Sequence, residues 1–327
     1  MTTDPDLPGK VAPHIDAVVI GRNEGERLTR CLASLEGLQP VIYVDSGSTD
    51  GSQEIASKAG ADVVSLDLSI PFTAARARNA GLARLAEIAS DTDFVQVLDG
   101  DTELREGWID AASAAITEDL RLAIVCGRRR ERHPEASRWN TLIDAEWDTP
   151  VGDAMECGGD ALLRRAAIDE VGGYDPDLIA GEEPELCFRL RAAGWRIRRI
   201  EAEMTWHDAA LTRFGQWWRR AERAGFSYAA LARRHGSQGL RVAEKRRALI
   251  WGFALPLVSL LGAILVSSSA LLLLLAWPLQ VVRMQRRGLS WTEAVFLTLG
   301  KIPEAKGVLS EAFGHLSGRR RGLIEYK

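Results

Sequence analysis

Four short apolar runs alternate with helical patterns over the first hundred residues of this chain. The runs are rich in valine and isoleucine, as is typical of buried strands, and they lie at residues 17–20, 41–44, 61–66 and 94–98. Apolar residues recur at helical spacing between them, for example over residues 74–88. Such an alternation predicts a doubly wound, mostly parallel α/β sheet. The chain has 327 residues, which is enough for this sheet and a second module.

The fourth run ends in two aspartates that are separated by one glycine, Asp99 and Asp101. In an open α/β sheet, ligands bind beyond the carboxyl ends of the strands. Two carboxylates at such a place suit Mg²⁺ or Mn²⁺, with phosphate oxygens completing the coordination. Asp-Gly-Asp-Thr is equally good turn and N-cap chemistry. Both interpretations stay open on this stretch alone.

A loop of small polar residues follows the second run. It begins at Asp45 and continues as Ser-Gly-Ser-Thr-Asp-Gly-Ser over residues 46–52. It lacks the Gly-Lys-Ser/Thr of a Walker loop and the acidic ligands of a calcium loop. Backbone N–H groups and hydroxyls at a helix N-terminus suit the ribose, base or phosphate of a nucleotide.

Further along, the sequence predicts a polar, arginine-rich insertion over residues 128–140 and a helix that opens at residues 157–165. Pro184 suits a first helical position and Gly194 suits the position after a helix, so a helix over residues 184–193 is predicted. Three glutamates would crowd its N-terminus, where the helix dipole stabilises negative charge. They are Glu182, Glu183 and Glu185. Such residues are also common as simple helix caps.

Charge is divided unevenly along the chain. Residues 241–327 hold 13 Lys/Arg and 5 Glu, a net charge of +8, so the first 240 residues must carry −12 of the total of −4. An acidic body argues against nucleic acid as a partner, and a basic tail favours an anionic surface. The four cysteines form no C-x-x-C pair, which is typical of reduced thiols in a cytosolic body.

Residues 248–282 contain no charged side chain. As one helix they would be about 52 Å long, against a hydrocarbon core of about 30 Å. Serines at 267–269 divide the stretch, and basic residues flank both ends, which places both ends in the cytoplasm. The sequence therefore predicts a transmembrane helical hairpin within residues 241–290. A re-entrant hairpin kinked at Pro256 and Pro278, or a buried pair of core helices, is the alternative.

The remaining segments complete the predicted organisation. Residues 1–14 read as a flexible N-terminus without the apolar segment of a signal peptide. Residues 15–240 form the domain that contains the predicted sheet, with an amphipathic, interfacial helix near residues 211–234. Residues 291–327 form a basic cytoplasmic tail, in which Lys301, Lys306 and the arginines at 319–321 could touch anionic headgroups.

Taken in order, these motifs resemble the family 2 glycosyltransferases, which have the glycosyltransferase-A fold. The matching pieces are Val-Val-Ile-Gly-Arg-Asn-Glu (18–24), Val-Asp-Ser-Gly-Ser-Thr-Asp-Gly-Ser (44–52), Ala-Arg-Asn-Ala-Gly (77–81), Asp-Gly-Asp (99–101), Gly-Gly-Asp (158–160), Gly-Gly-Tyr-Asp (172–175), Gly-Glu-Glu-Pro-Glu-Leu (181–186) and His207. Each is weak alone, but eight in register over residues 15–230 are specific.

The resemblance implies roles for residues at these positions. The residues that would bind a nucleoside diphosphate sugar are Arg22, Glu24, Asp45, Ser48, Arg78, Asn79 and Asp99. Asp101 and His207 would ligate Mg²⁺ or Mn²⁺, with Asp99 a possible further ligand. Glu183 would be the catalytic base, at a position where the family usually has aspartate, and Glu182 or Glu185 could take that role instead.

The acceptor side is assigned to Asp160, Gln216, Trp218 and Arg219. Gln216-Trp-Trp-Arg-Arg resembles the Q-x-x-R-W signature of processive polysaccharide synthases, although Arg220 stands where tryptophan is expected. Together with the short membrane segment, this departure favours addition of a single sugar.

The resemblance thus implies an inverting, metal-dependent glycosyltransferase in the inner, cytoplasmic membrane, with its catalytic domain facing the cytoplasm. The acceptor would be a lipid-linked or cell-envelope glycan. A nucleotidyltransferase is one alternative, but it would need a basic triphosphate loop near the first strand, where only Arg22 lies. A non-catalytic membrane scaffold with a degenerate transferase domain is the other, although Asp99, Asp101 and an acidic base candidate remain.

Overall fold

The computed structural model describes residues 13–318, which form an α/β body followed by a helical C-terminal part. The strands are β1 (Ile15–Gly21), β2 (Val41–Asp45), β3 (Asp62–Ser65), β4 (Phe94–Asp99), β5 (Thr102–Leu104), β6 (Leu122–Glu131), β7 (Gly152–Asp153), β8 (Ala161–Arg164) and β9 (Arg196–His207). The helices of the body are α1 (Glu26–Ala33), α2 (Ser52–Lys58), α3 (Ala74–Ile88), α4 (Trp108–Glu118), α5 (Arg138–Glu146), α6 (Arg165–Glu170), α7 (Glu182–Ala192) and α8 (Phe214–His235).

The nine strands of residues 13–318 belong to one sheet, in the order β3-β2-β1-β4-β8-β6-β9-β5, with β7 paired to β9. The four N-terminal strands are parallel, and β8 enters antiparallel between β4 and β6. The predicted doubly wound α/β fold is confirmed. Because β1 and β4 are central neighbours, the polar residues after both strands meet at the same edge of the sheet.

The core explains why these apolar runs form strands. Val18 of β1 and Val97 of β4 are fully buried, as is expected for strands covered on both faces. Helix α3 lies against them through Gly81, where an added Cβ would come within 2.4 Å of Val18 Cγ1. The predicted helix over residues 74–88 is found as α3, and Thr73 caps it by accepting a hydrogen bond from Arg76 N.

Three local predictions need correction. The stretch at 128–140 is not an insertion throughout, because β6 continues to Glu131 by pairing with the long strand β9. The segment after Gly159 forms strand β8 before the short helix α6, since β4 and β6 both offer it backbone partners. Helix α7 starts at Glu182, so Pro184 is its third residue, where an N–H would have no intrahelical acceptor.

The C-terminal part begins with α9 (Val242–Leu249), which continues through a π-helical turn (Ile250–Ala254) into α10 (Leu255–Leu265). By length and composition, the continuous helix Val242–Leu265 is the one in the described part of the chain that could cross a membrane. The next segment is a 3₁₀ helix (Ser268–Leu275) followed by α11 (Ala276–Gln285). Trp277 Nε1 of α11 donates to the Trp251 carbonyl at 3.2 Å. The two-span hairpin remains a prediction.

The tail folds back onto the body in α12 (Trp291–Leu299) and α13 (Lys301–Leu316). Lys301 pairs with Glu304 and Lys306 with Glu222, each at 2.7 Å, and contact of these lysines with anionic headgroups stays a prediction. The arginines at 319–321 lie outside the described residues. Helix α8 buries Trp217 and Leu231 against the rest of the protein, and its predicted position at a membrane surface stays a prediction.

Candidate active site

A cavity of about 790 Å³ opens at the carboxyl edge of the sheet. Its walls are the ends of β1 and β4, the loop before β8, the N-terminus of α7 and one face of α8. Asp99 and Asp101 lie on one side, and Glu182 and Glu183 lie on another. Carboxylates gathered in one cavity need positive charge among them.

Arg78 of α3 supplies part of that charge. Its side chain is 1% exposed, and its Nη2 donates to Asp99 Oδ1 at 2.9 Å. Its Nη1 donates to Glu182 Oε1 at 3.0 Å and to Glu183 Oε1 at 3.2 Å. A planar guanidinium holds several carboxylates in fixed directions, as an ammonium cannot. Arg78 therefore fixes the start of α7 relative to the end of β4.

Among the three glutamates that begin α7, Glu183 has the properties of a general base. Burial, and then the negative charge of Glu182, raise the pKa of Glu183 to about 7, although Arg78 acts in the opposite direction. A carboxyl group that titrates near neutral pH in a cleft is a candidate for proton transfer. Glu185 lies outside the cavity lining and pairs with Arg189 and His235.

Asp101 lies in the turn just before β5, and His207 is the last residue of β9. The fold brings these two side chains together. His207 Nε2 lies 3.5 Å from Asp101 Oδ1, and both residues are 6% exposed. The pairing of Thr102 with His207 in the sheet fixes this arrangement. An oxygen and an imidazole nitrogen suit Mn²⁺ or Mg²⁺, provided that further oxygens come from a ligand. Within residues 13–318, no group of three or more acidic, His or Cys side chains is arranged to hold a metal ion.

The predicted donor residues fall into two groups. Arg22, Glu24, Arg78 and Asp99 line the cavity. Asp45 is fully buried, and it accepts hydrogen bonds from Gly47 N and Ser48 N, each at 2.9 Å. Although burial acts to raise it, these bonds and one from Gln53 hold the pKa of Asp45 below its usual value. Asp45 therefore shapes the polar loop from beneath.

Ser48 and Asn79 also serve local structure. Ser48 Oγ accepts from Asn23 N at 2.9 Å, which joins the first two polar loops. Asn79 Nδ2 donates to the Tyr174 carbonyl at 2.7 Å, and Asn79 Oδ1 accepts from Tyr174 N at 2.9 Å. This pair of bonds fastens α3 to the Gly-Gly-Tyr-Asp turn. Neither side chain lines the cavity.

Asp160 lies beneath the Asp-Gly-Asp turn. It is fully buried, its Oδ1 accepts from Asp99 N at 3.1 Å, and its Oδ2 accepts from Thr205 Oγ1 at 3.1 Å. Arg129 Nη2 lies 2.9 Å from the same Oδ2. This placement suits a positioning role for Asp160 and does not suit contact with an acceptor.

The face of α8 that meets the cavity differs from the predicted one. Gln216 Oε1 accepts from Thr212 N and Arg213 N, and thereby caps the helix. Trp218 packs in an aromatic cluster with Trp217 and Phe214, and Arg219 is exposed. The residues of α8 that line the cavity are Arg220, Arg223, Ala224, Ser227 and Tyr228.

Sequence reasoning also missed Arg129. It lines the cavity beside Gly158, and its guanidinium lies 5.3 Å from the ring centroid of Trp147. The arginine run at 128–130 lies in the stretch that the sequence predicts as an insertion. Period-two alternation within an extended β6 would have directed Arg129 to the opposite side from its two neighbours.

The mostly parallel α/β sheet matches the glycosyltransferase-A fold. The mannosyltransferase PcManGT from Pyrobaculum calidifontis, solved in complex with GDP-Man and Mn2+, superposes with a TM-score of 0.61 at 18% sequence identity, covering 92% of this chain and 88% of that one. Residues 16–172 match the family described as Glycosyl transferase family 2. The chain belongs to this family.

Curated relatives agree with this assignment. The pre-mycofactocin glycosyltransferase of Mycobacterium tuberculosis is 30% identical over 232 residues, which are 68% of this chain and 48% of that protein. The succinoglycan biosynthesis protein ExoA of Rhizobium meliloti is 30% identical over 57% of this chain and 56% of its own length. The chain thus spans about half the length of these two relatives. The N-acetylglucosaminyl-diphospho-decaprenol L-rhamnosyltransferase of M. tuberculosis is 28% identical over 61% of this chain and 77% of its own length.

Proposed function

We propose that this protein transfers a sugar from a nucleoside diphosphate sugar to a lipid-linked or cell-envelope glycan, with inversion at the anomeric carbon. The observation that carries the proposal is the bridge made by Arg78 between Asp99 and Glu183. Through this one guanidinium group, the base candidate Glu183 is held close to the aspartates that mark the family's donor site. Donor and acceptor would therefore meet between these two groups.

Glu183 would take the proton of the acceptor hydroxyl as that hydroxyl attacks the anomeric carbon. This requires an ionised carboxylate within hydrogen-bond reach of the hydroxyl. The helix N-terminus favours the ionised form, whereas burial and Glu182 oppose it and bring the pKa of Glu183 to about 7. A single displacement with one base inverts the configuration of the anomeric carbon.

Asp101 and His207 would hold a divalent cation, Mg²⁺ or Mn²⁺, together with diphosphate oxygens. When bound, such an ion neutralises the charge that develops on the diphosphate leaving group. The donor set of one carboxylate and one imidazole fits this role, since the short list of protein ligands leaves positions for phosphate. The Mn2+ and GDP-Man named with the Pyrobaculum calidifontis structure support the same choice of ligands.

The helix Val242–Leu265 motivates the membrane part of the proposal. Leu260, Ile264 and Leu265 are 55%, 69% and 76% exposed, an arrangement that water does not favour and a lipid core does. Basic residues flank the charge-free stretch 248–282 and would keep both ends of that stretch in the cytoplasm. The catalytic cavity would then face the cytoplasm as well. The lipid-linked acceptor in the name of the rhamnosyltransferase relative supports the acceptor class.

The first experiment is equilibrium binding of UDP, GDP and dTDP to the detergent-solubilised protein, with and without Mn²⁺. We expect one nucleotide to bind tightly only with Mn²⁺, and Asp101→Ala to abolish this dependence. Transfer to a lipid extract should then yield a product of inverted configuration by proton NMR. Binding of every nucleotide without any need for Mn²⁺, or no binding of any nucleotide, would contradict the proposal and favour the non-catalytic membrane scaffold. Release of pyrophosphate from a nucleoside triphosphate would favour the nucleotidyltransferase.

A further inference from the structure

A second buried carboxylate lies behind His207, on the side opposite to Asp101. It belongs to Glu131, the last residue of β6, which is fully buried. Glu131 Oε2 lies 4.0 Å from His207 Nδ1, whereas His207 Nε2 faces Asp101 Oδ1 at 3.5 Å. The imidazole therefore stands between two carboxylates, one at each ring nitrogen.

Strand register produces this line of three side chains. Glu131 of β6 is the direct partner of His207 in the parallel pairing of β6 with β9. On the other side of β9, Thr102 is the antiparallel partner of His207, and Asp101 immediately precedes Thr102. Arg132 N also donates to the His207 carbonyl at 2.9 Å. Three adjacent strands thus fix the backbone positions of all three residues.

The Glu131 carboxylate is itself held rigidly. Its Oε1 accepts from His133 N at 3.1 Å and from Asn140 Nδ2 at 3.2 Å, and its Oε2 accepts from Ala209 N at 3.0 Å. All of these partners are donors. The Glu131 oxygens therefore act as acceptors in all three of these hydrogen bonds, and Oε2 also offers an acceptor to the facing ring nitrogen of His207.

His207 Nδ1 is buried and, within residues 13–318, makes no hydrogen bond. The Trp147 ring packs edge-on against the imidazole, with 4.8 Å between ring centroids, and so restricts its rotation. A buried N–H group, such as one at His207 Nδ1, is stabilised most by a carboxylate that it faces. Metal-ligating histidines generally direct their second ring nitrogen to such a carboxylate, which fixes the tautomer and raises ligand basicity.

We propose that Glu131 is a positioning residue that holds the His207 imidazole with its proton on Nδ1, so that Nε2 stays an open electron-pair donor beside Asp101. The inference rests on the proposed metal dependence, and it adds a residue that no motif identified. Glu131 itself would touch neither substrate nor metal ion.

The tautomer provides a test whose readout is not activity. Histidine-selective ¹⁵N NMR of the full-length protein with diamagnetic Mg²⁺ and UDP, GDP or dTDP should show His207 protonated at Nδ1, with the signal assigned by its loss in His207→Gln. In Glu131→Gln we expect the ring to lose this preference. A His207 that is protonated at Nε2 in the wild-type protein would overturn the inference.

Metal affinity provides the second test, by electron paramagnetic resonance titration of Mn²⁺ in the presence of UDP, GDP or dTDP. We expect Glu131→Gln to weaken Mn²⁺ binding roughly 10–100-fold. Glu131→Asp keeps the charge and should restore part of the affinity, which also covers the case that the glutamine variant fails to fold. Equal Mn²⁺ affinity of all variants and the wild type would overturn the inference.

Ser137→Ala is the matched control, because Ser137 anchors the same segment without a charge and without a hydrogen bond to Glu131. Ser137 Oγ donates to the Leu211 carbonyl, just beyond His207 in the chain. If the role of Glu131 is only to hold this segment, Ser137→Ala will weaken Mn²⁺ binding as much as Glu131→Gln, and the inference fails. A wild-type protein that binds no Mn²⁺ with any nucleotide would instead overturn the metal-dependent function itself.

Discussion

Arg78 Nη1 lies 3.2 Å from Glu183 Oε1, so a fully buried guanidinium pairs with the proposed catalytic base. The same guanidinium binds Asp99 and Glu182. Its charge is thus shared among several carboxylates, and Glu183 receives too little of it to offset burial. This sharing leaves Glu183 able to accept a proton near neutral pH.

The first prediction separates the base candidates. Glu183→Gln should lower kcat about 10²–10⁴-fold while nucleotide binding stays unchanged, because only the proton acceptor is lost. Glu185→Gln is the control, since Glu185 pairs with Arg189 and His235 away from the cavity, and it should retain most of the transfer activity. Steady-state kinetics would measure kcat of both variants, and nucleotide titration would measure their nucleotide affinity. Loss of activity only in Glu185→Gln would reverse the assignment.

The second prediction concerns pH. A base must be ionised to act, and Glu183 is protonated below its pKa of about 7. We therefore expect kcat to fall about tenfold per pH unit below pH 7 and to level off above it. Arg78→Gln removes a charge that lowers this pKa, so the acidic limb should move to higher pH, whereas Arg78→Lys should move it less. A limb that stays in place in Arg78→Gln would show that another group controls the profile.

The third prediction concerns the contact between α8 and α13. An added Cβ on Gly307 would come within 2.0 Å of the Glu222 carbonyl oxygen, so Gly307→Ala must push the helices apart. We expect about 1–3 kcal/mol of destabilisation, measured as a lower Tm in detergent. Gly215→Ala is the control, since nothing lies within 4 Å of a Cβ there, and its Tm should not fall. Equal Tm values for the two variants would contradict the close packing of the tail.

The fourth prediction tests membrane insertion. Placing glutamate at both Leu261 and Ile264 should release the protein from membranes on carbonate extraction, because charge near the centre of a span costs about 2.5–3.5 kcal/mol per residue. Both side chains are exposed within the helix Val242–Leu265. Leu120→Glu alters a residue that is 75% exposed in the body, and the variant should stay with the membrane. Retention of the double variant would argue against a span.

Much of the fold follows from the sequence because it is encoded locally. The alternation of strand and helix from β1 to β4 depends on periods of two and 3.6 residues, which any short window contains. The Asp-Gly-Asp turn lies where the sheet must place it, at the end of a buried strand. Motif order was sufficient to predict the family, which the comparisons confirm.

Other features were decided by tertiary structure. Arg129 reached the cavity because β6 extended by pairing with β9, a strand that begins 65 residues after Glu131. The cavity face of α8 carries Arg223 and Tyr228 because α12 and α13 cover its other faces.

The sequence alone therefore determined the α/β alternation, the family motifs and a charge-free C-terminal stretch. Only the tertiary structure distinguished Glu183 from Glu185 and placed Glu131 behind His207. The physical reason is that burial, shared charge and strand register depend on residues far apart in the chain. The periodicity of a short stretch of sequence does not predict which of these distant residues will be in contact.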